Sequence, residues 1–256
     1  MHDIHTYLGQ LFSFDSTHPL LFTQIHFWVF FLIVYAGFSL IVTRRWRLTA
    51  RNAYLFAVSI FFYYKTSGLF VFLLVFSTLF GWILGISMDR SAAKQAEGRR
   101  KTLMIIGVAI NLGILGFFKY AYFFTDLFNA TFGTSYSIAI QIILPVGISF
   151  YTFQNISYIV DVYRRRIPHV ANILDFGFYT TFFPQLVAGP ILRADQFVPQ
   201  LYQPFHLSRR HFGIAVFWIL NGLTKKIILS DYLAVNFVDR IFDNPSLYSG
   251  VENLLG

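Results

Sequence analysis

Residues 144–193 decide the fold, and they read LPVGISFYTFQNISYIVDVYRRRIPHVANILDFGFYTTFFPQLVAGPILR. A basic linker joins two apolar runs. Pro145 and Gly147 interrupt the first run, and Pro184 and the pair Gly189–Pro190 interrupt the second. Proline and glycine break the helical hydrogen-bond ladder, and broken backbone at membrane depth is tolerated where it is buried in protein or lines a cavity. We therefore expect this segment to build a site inside a membrane.

The composition indicates a membrane protein. Of 256 residues, 56% are hydrophobic and 12% are charged, whereas soluble domains carry about 25% charged residues. Three long stretches contain no Asp, Glu, Lys or Arg: Leu69–Met88, Leu127–Val160 and Phe212–Thr224. Because a spanning helix needs about 20 mainly apolar residues, these stretches exclude a soluble globular protein. The chain has no cysteine, which excludes disulfides and thiolate metal sites.

The apolar pattern predicts an all-α fold, a polytopic transmembrane helical bundle with broken or re-entrant helices. We expect one membrane domain over residues 1–256, and we expect it to be incomplete. The predicted spans are Leu20–Val42, Asn52–Thr66, Leu69–Met88, Thr102–Phe124, Ile138–Tyr163 and Phe212–Val235, with a shorter re-entrant piece at Ile173–Ala188.

Basic residues cluster in alternate loops. Arg44–Arg51 carries four arginines and Arg164–Arg166 carries three, whereas the chain through Pro19 has no lysine or arginine. By the positive-inside rule, the N-terminus faces outward from a cell inner membrane and the basic loops face the cytoplasm. This placement accounts for the net charge of +8. We therefore expect the lipid bilayer, and no nucleic acid, as the partner of these charges.

A polar seam follows the first apolar run of residues 144–193. Gly147, Gln154 and Asp161 are seven residues apart, with Tyr151 and Tyr158 between them, and this spacing puts the five on one face of a helix. Polar groups inside membranes usually face a bundle interior or a wet cavity. The seam therefore lines a substrate passage, or it holds helices together with Asp161 paired to a nearby arginine.

The second apolar run offers further candidate groups. Breaks at Pro184–Gln185 and Gly189–Pro190 would free carbonyl groups and Gln185 to contact a ligand. Arg193 follows directly and could bind a phosphate or carboxylate with its planar guanidinium. The alternative is an interfacial loop whose arginine reaches lipid phosphate.

Lysines and histidines give weaker signals. Lys225 and Lys226 stand inside an apolar run, where they need a partner such as Asp231 or a cavity, or simply reach the interface. The seven histidines show no metal-ligand spacing, and we expect no metal site. We assign no catalytic residue within this chain.

Three stretches together resemble one enzyme family, and a shorter motif upstream agrees with them. The chain is similar to the membrane-bound O-acyltransferases, in particular to the bacterial branch of alginate O-acetyltransferase and the D-alanyl transfer protein of teichoic acids. The matching stretches are LPVGISFYTFQNISYIVDVYR (Leu144–Arg164), FFPQLVAGPILRADQFVPQL (Phe182–Leu201), NGLTKKIILSDYLA (Asn221–Ala234) and FFKYAYFF (Phe117–Phe124).

The resemblance implies transfer of an acyl group, most often acetyl, to a hydroxyl of a cell-surface or exported polysaccharide. It implies no bound cofactor. The donor would be a thioester such as acetyl-CoA or an acyl-carrier protein on the cytoplasmic side, and an extracytoplasmic acyltransferase partner could complete the transfer. The family's catalytic histidine belongs to a later segment, so the chain is expected to match the N-terminal half of such an enzyme. Gln154, Gln185 and Arg193 are then the candidate lining or orienting groups.

Two other functions fit parts of the pattern. Broken helices and a polar seam are also typical of transporters or flippases, although we find no paired breaks in two halves of the chain. A non-catalytic scaffold is the third hypothesis, and it applies if this chain acts without a catalytic segment.

Overall fold

The computed structural model describes residues 22–44, 48–138, 142–186 and 189–255, and these residues form helices and loops without β-strands. The all-α prediction is confirmed. The α-helices are α1 (Ile25–Thr43), α2 (Leu48–Ser67), α3 (Val71–Ala93), α4 (Glu97–Phe132), α5 (Ile148–Tyr163), α6 (Ile173–Thr181), α7 (Phe183–Leu186), α8 (Ala194–Phe197), α9 (Arg209–Thr224), α10 (Asp239–Asp243) and α11 (Gly250–Leu255). Short 3₁₀ segments lie at Gly68–Phe70, Val198–Tyr202 and Pro245–Leu247, and π-helical segments at Lys225–Asp231 and Ala234–Val238.

Among the described residues, four helical stretches are long and apolar enough to cross a membrane. They are Ile25–Thr43, Leu48–Ala93, Glu97–Phe132 and Arg209–Asp243. The chain is therefore a multi-pass membrane protein, as the composition predicts. At about 1.5 Å per residue, α4 is longer than the roughly 30 Å hydrocarbon core, so part of it extends beyond that core.

The chain divides into two compact units. The first contains Val29–Pro204 and the second contains Leu21–Trp28 and Phe205–Gly256. The expectation of a single membrane domain stays a prediction. Predicted features at residues 1–21, 45–47, 139–141 and 187–188, including the ends of spans at Leu20 and Ala188, lie outside the described residues.

The first unit packs α3, α4, α5 and α6 around a core rich in aromatic side chains. Glycines allow the helices to approach closely. A methyl group at Gly81 would lie 2.8 Å from Asn155 Oδ1 of α5, and one at Gly85 would meet the Tyr158 hydroxyl. Small residues at helix contacts are the usual device for close packing in membranes.

Glycines with positive φ interrupt the helices at two places. The break at Gly68 agrees with the predicted spans, whereas the break at Gly147 moves the predicted start of a helix. Gly68 has φ +57° and separates α2 from α3, in agreement with the two predicted spans. The predicted span Ile138–Tyr163 is too long, because α5 begins only at Ile148. Its N-cap is Gly147 with φ +72°, a left-handed conformation that favours glycine. Gly147 is therefore the last residue of the non-helical segment before α5 and is not part of the helical face.

The second unit contains α9 to α11 and the two π-helical segments. The predicted span Phe212–Val235 lies within the helical stretch Arg209–Asp243, which changes from α- to π-helix at Lys225. No residue of Arg209–Thr224 is buried, and large apolar side chains such as Phe217 and Trp218 are exposed. This composition fits a helix surrounded by lipid or by other membrane helices.

Candidate functional site

The buried face of α5 carries several polar side chains into the core of the first unit. Tyr151, Gln154, Asn155, Tyr158 and Asp161 are each at most 5% exposed. The predicted alignment of polar groups on one helix face is therefore present, and the face points into the protein. It has two ends that differ in chemistry, which we name the Tyr151 end and the Asp161 end.

At the Asp161 end, the seam's polar side chains have partners. Gln154 Nε2 donates to the Tyr179 carbonyl over 2.8 Å. The Tyr158 hydroxyl accepts from the Val170 N–H over 3.1 Å. The Asp161 carboxylate lies 3.6 Å from Arg166, an arginine of the basic linker as the sequence suggested. These bonds fix α5 to the linker and to α6.

The linker between α5 and α6 is tied to α3 and α4 as well. His169 Nδ1 lies 2.5 Å from Asp89 Oδ2, and the Trp82 indole N–H donates to the Val170 carbonyl over 2.9 Å. Arg100 of α4 is 2% exposed and donates to the Tyr163 carbonyl over 2.7 Å. A buried cation at the last carbonyl groups of α5 is favoured by the negative end of the helix dipole.

A second buried network joins the start of α2 to the start of α6. Asp175 accepts from Asn52 Nδ2 over 2.9 Å and from the Tyr202 hydroxyl over 2.7 Å. Arg51 donates to the carbonyls of Leu201 and Gln203 over 2.5 and 2.9 Å. Partial burial, and then the hydrogen bond to Asp175 and its charge, raise the pKa of Tyr202 to about 12.

A cavity of about 300 Å³ lies beside these two networks. This volume is at the lower end of the range for small-molecule sites. Most of its walls are apolar, and His169, Asp195 and Tyr202 are the polar side chains that line it. The cavity is on the same side as the basic linker, since residues 167–171 form one of its walls.

The Tyr151 end is different, because buried polar atoms there have no hydrogen-bond partner among the described residues. These atoms are the hydroxyls of Tyr63 and Tyr151, both side-chain polar atoms of Asn155, and Gln185 Oε1. Buried polar groups in native proteins are nearly always paired, so these atoms set this end apart from the Asp161 end.

The second interrupted run ends beside α5. The chain bends at Phe182, and α7 places Pro184 half-buried and Gln185 buried. The Leu186 carbonyl lies against Gly147, where any side chain would collide with it. The predicted breaks are thus present, with the first one displaced to the residue before Phe183. The re-entrant course through the membrane stays a prediction.

Of the remaining candidates, Gly189 packs against the backbone of Gln185. Gly189 is half-buried, while Pro190 and Arg193 are exposed, and Arg193 is the N-cap of α8 without a side-chain capping bond. Lys225 and Lys226 are exposed, and Lys226 pairs with Asp231 over 2.5 Å. The predicted Lys–Asp partnership is therefore formed by Lys226. The functional roles of all these residues stay predictions.

The sequence analysis missed several buried polar residues. Arg51, Asn52, Arg100, Asn155 and Asp175 are each at most 8% exposed. Asn155 could have been found from its spacing, since it follows Tyr151 by four residues and lies on the same face. The arginines could not, because they stand at helix ends where a lipid-facing role is equally compatible with the pattern.

Comparison with known proteins identifies curated relatives. Probable alginate O-acetylase AlgI of Pseudomonas putida is 34% identical over 233 residues, which are 89% of this chain and 46% of the relative. The corresponding protein of Pseudomonas aeruginosa is 34% identical over 232 residues, 89% of this chain and 43% of the relative. The peptidoglycan O-acetyltransferase of Helicobacter pylori is 28% identical over 96% of this chain and 51% of the relative.

The chain spans about half the length of these curated relatives. It matches no protein-family model and no solved structure. The matched part covers the interrupted runs and the polar seam, because it extends over nine-tenths of the chain. The resemblance that the motifs indicated is confirmed: over the segment that it shares with these relatives, the chain is similar to alginate and peptidoglycan O-acetyltransferases, which are members of the membrane-bound O-acyltransferase family.

Proposed function

We propose that the protein takes part in O-acetyl transfer to hydroxyl groups of a cell-surface or exported polysaccharide. The observation that carries this proposal is the 34% identity, over 89% of the chain, to proteins named as probable alginate O-acetylases. A peptidoglycan O-acetyltransferase among the relatives supports a polysaccharide acceptor without selecting alginate over peptidoglycan.

The architecture of the first unit is compatible with such an enzyme. Helices α6 and α7 are short, broken and mostly buried, and they pack against a polar face of α5. An acyl-transfer path needs polar groups enclosed by protein at membrane depth. The donor and acceptor can then meet away from lipid, while α1 to α4 provide the apolar exterior.

The donor is proposed to be an acyl thioester, such as acetyl-CoA or an acyl-carrier protein, used as substrate and not as a bound cofactor. It would approach from the side that carries the basic linker, which the charge pattern places in the cytoplasm of a cell whose inner membrane holds the protein. The N-terminus would face outward. An extracytoplasmic acyltransferase would be the partner that completes delivery to the polymer.

The candidate residues divide by their contacts. The Gln154 amide N–H is already used by the Tyr179 carbonyl, so its proposed role is to hold α5 against α6. The side-chain oxygen of Gln185 has no hydrogen-bond partner among the described residues. Arg193 is exposed, and its neighbour Ala194 lines the cavity of about 300 Å³. Arg193 is therefore the candidate contact for a phosphate or carboxylate of the donor.

Transfer in isolated membranes tests the proposal. The 256-residue chain and the longest product of its reading frame would be expressed separately, and radiolabelled acetyl donor would be supplied with alginate or peptidoglycan. Base-labile label in the polymer is expected with the longer product, and Arg193→Ala is expected to raise the KM for donor severalfold. Arg164→Ala is the matched control, since Arg164 is also an exposed arginine. No labelled polymer with either acceptor, from membranes that contain the protein, would contradict the proposal.

The same membranes distinguish the other hypotheses. Uptake of unmodified polysaccharide fragments into sealed vesicles, without acetylation, would favour a transporter. The relatives reported above are named for O-acetyl transfer, and none of these names supports transport. If the shorter chain binds a partner but transfers nothing, the scaffold hypothesis is favoured for that form.

A further inference from the structure

The turn between α3 and α4 carries a concentration of positive charge. Residues 94–96 join the two helices, and a hydrogen bond of 2.9 Å from the Ala96 N–H to the Ser91 carbonyl closes the turn. Four exposed basic residues lie in this turn or on its two sides, and we name them the turn cations: Arg90, Lys94, Arg99 and Lys101. They occupy one end of the first unit.

The turn cations have no ion-pair partner among the described residues. The acidic side chains in the same part of the chain are engaged elsewhere, because Glu97 pairs with Arg100 and Arg165 and Asp89 contacts His169. The structure thus separates the basic residues of this end into two sets. One set fixes the linker to α3 and α4, and the turn cations remain available to an anion from outside the chain.

Arg90 continues an exposed apolar face of α3. Phe76 and Ile83 are 51% and 54% exposed, and Phe76, Ile83 and Arg90 follow one another at intervals of seven residues. Since seven residues are almost two turns of helix, the three side chains lie on one face. An exposed apolar face of this kind marks a membrane contact. It leads directly to a cation at the end of the helix.

Lys101 begins a similar face of α4. Ile105 and Leu112 are 51% and 47% exposed, and they follow Lys101 by four and eleven residues, so all three lie on one side of the helix. There is no Asp, Glu, Lys or Arg between Lys101 and Lys119. Lys101 therefore stands at the boundary of the apolar part of α4, where a long side chain reaches the level of lipid head groups.

The two faces define the partner chemically. Both end at the same turn, so a molecule that uses the faces and the turn cations together has apolar chains joined to an anionic group. An inorganic anion has no chains, and an acidic soluble protein does not reach the apolar faces within the bilayer. A phospholipid with a negatively charged head group has both parts. Lysine and arginine clusters next to the end of a membrane helix attract such lipids.

We propose that the α3–α4 turn is a binding site for an anionic phospholipid. Its phosphodiester contacts the turn cations, and its acyl chains lie along the exposed faces of α3 and α4. This goes beyond the general placement of basic loops on one side of a membrane, because it requires a negatively charged lipid and assigns it to one turn. The proposal does not rest on the acyl-transfer function.

Native mass spectrometry of the full chain tests the proposal. The protein in a neutral detergent receives equal amounts of phosphatidylglycerol and phosphatidylethanolamine with the same acyl chains. We expect the unchanged protein to retain phosphatidylglycerol severalfold over phosphatidylethanolamine, and the triple variant Arg90→Gln/Lys94→Gln/Lys101→Gln to lose this preference. Equal retention of the two lipids by the unchanged protein would overturn the proposal, and a surface for an acidic soluble protein predicts that result.

Two lysines of α4 provide a matched pair of single variants. Lys101 and Lys119 are both exposed and lie on the same side of the helix, eighteen residues apart, which is about 27 Å at 1.5 Å per residue. Lys101→Gln should lower the preference for phosphatidylglycerol, and Lys119→Gln should leave it unchanged. Equal losses in the two variants would refute a site at the turn. Substitutions at such exposed positions usually change stability little, so these variants remain informative if the triple variant fails to fold.

The lipid head group without chains distinguishes a phospholipid from a free phosphate compound. Glycerophosphoglycerol carries the same phosphodiester as phosphatidylglycerol but cannot use the apolar faces of α3 and α4. At equal concentration it should displace much less bound phosphatidylglycerol than the intact lipid does. Displacement as effective as that by the intact lipid would show that the acyl chains contribute nothing, and the phospholipid site would be refuted.

Discussion

The two ends of the α5 seam carry similar residues that differ in their hydrogen-bond partners. At the Asp161 end, Tyr158 and Gln154 bind main-chain groups of the linker and α6. On the same helix, the Tyr151 hydroxyl and both side-chain polar atoms of Asn155, the residue next to Gln154, make no hydrogen bond of normal geometry with the described residues. The difference teaches that neighbouring polar side chains on one buried helix face can differ in whether they find hydrogen-bond partners among the surrounding elements.

The contrast has a physical cause in the connecting segments. The linker after α5 folds back over the end of this helix. The amide and carbonyl groups of the linker are therefore close enough to pair with the polar side chains of the seam. Val170 alone uses both its N–H, with Tyr158, and its carbonyl, with Trp82. Arg100 adds a buried cation at the same end, although its Nε is itself unpartnered. At the start of α5, the Leu186 carbonyl packs against Gly147 and the Val146 N–H donates to Ser67 Oγ over 3.2 Å, and neither contact involves Tyr151 or Asn155.

The largest expected effect comes from crowding the Asp161 end. In Gly85→Ala the new methyl group would collide with the Tyr158 hydroxyl and come within 2.9 Å of its Cζ. Tyr158 must then move and release the Val170 N–H. Overpacking and a lost buried hydrogen bond together are expected to lower the free energy of unfolding by about 3 kcal/mol, measured by denaturant unfolding in detergent.

Gly116→Ala is the matched control for that variant. Gly116 is a mid-helix glycine of α4 whose added methyl group would meet nothing within 4 Å, and alanine is the better helix former. Gly116→Ala should therefore be neutral or slightly stabilising. Equal behaviour of the two variants would mean that the contact between Gly85 and Tyr158 does not hold the Asp161 end together.

A smaller effect on the free energy of unfolding is expected for Tyr158, and it distinguishes this tyrosine from Tyr151. Tyr158→Phe leaves the buried Val170 N–H without its acceptor, and we expect a loss of about 1–2 kcal/mol in unfolding free energy. The linker should also loosen, which hydrogen exchange at the Val170 amide would detect. If this amide exchanges as slowly in the variant as in the unchanged protein, the Asp161 end is not fixed by the bond to Tyr158, and the contrast with the Tyr151 end fails.

Much of this fold could be predicted from hydrophobic patterning. Charge-free runs located the long helices, and the predicted spans Asn52–Thr66 and Leu69–Met88 left the break between α2 and α3 at the right place. The start of α5 was predicted ten residues too early although Pro145 and Gly147 interrupt the run, because the residues before Pro145 are as apolar as the helix itself. Apolar composition does not reveal that the Leu186 carbonyl, 39 residues further along the chain, packs against Gly147 and leaves no room for a side chain there.

The site was only half predictable for a similar reason. Spacing placed Tyr151, Gln154, Tyr158 and Asp161 on one face, and all are buried. Whether each finds a partner depends on residues distant in sequence, such as Val170 and Tyr179, which no local pattern reveals. The network of Asp175 with Asn52 joins positions 123 residues apart, so it could not be derived from the sequence alone.

The smallest expected effect concerns the hydrogen bond between Tyr202 and Asp175. It tests whether the hydrogen-bonded region at the Asp161 end continues into the network of Asp175, Asn52 and Tyr202. Burial and Asp175 raise the pKa of Tyr202 to about 12, from an ordinary value near 10. A raised pKa favours the protonated phenol in the folded state, so its contribution to stability is complete below about pH 10 and is lost as the pH rises towards 12. Asp175→Asn removes the charge and weakens the hydrogen bond, and it should lower the pKa of Tyr202 while leaving the share due to burial. Tyrosinate absorbance, taken as the difference from Tyr202→Phe, measures the shift. An unchanged pKa of Tyr202 in Asp175→Asn would show that Asp175 does not hold Tyr202. The hydrogen-bonded region that begins at the Asp161 end would then stop at the linker between α5 and α6.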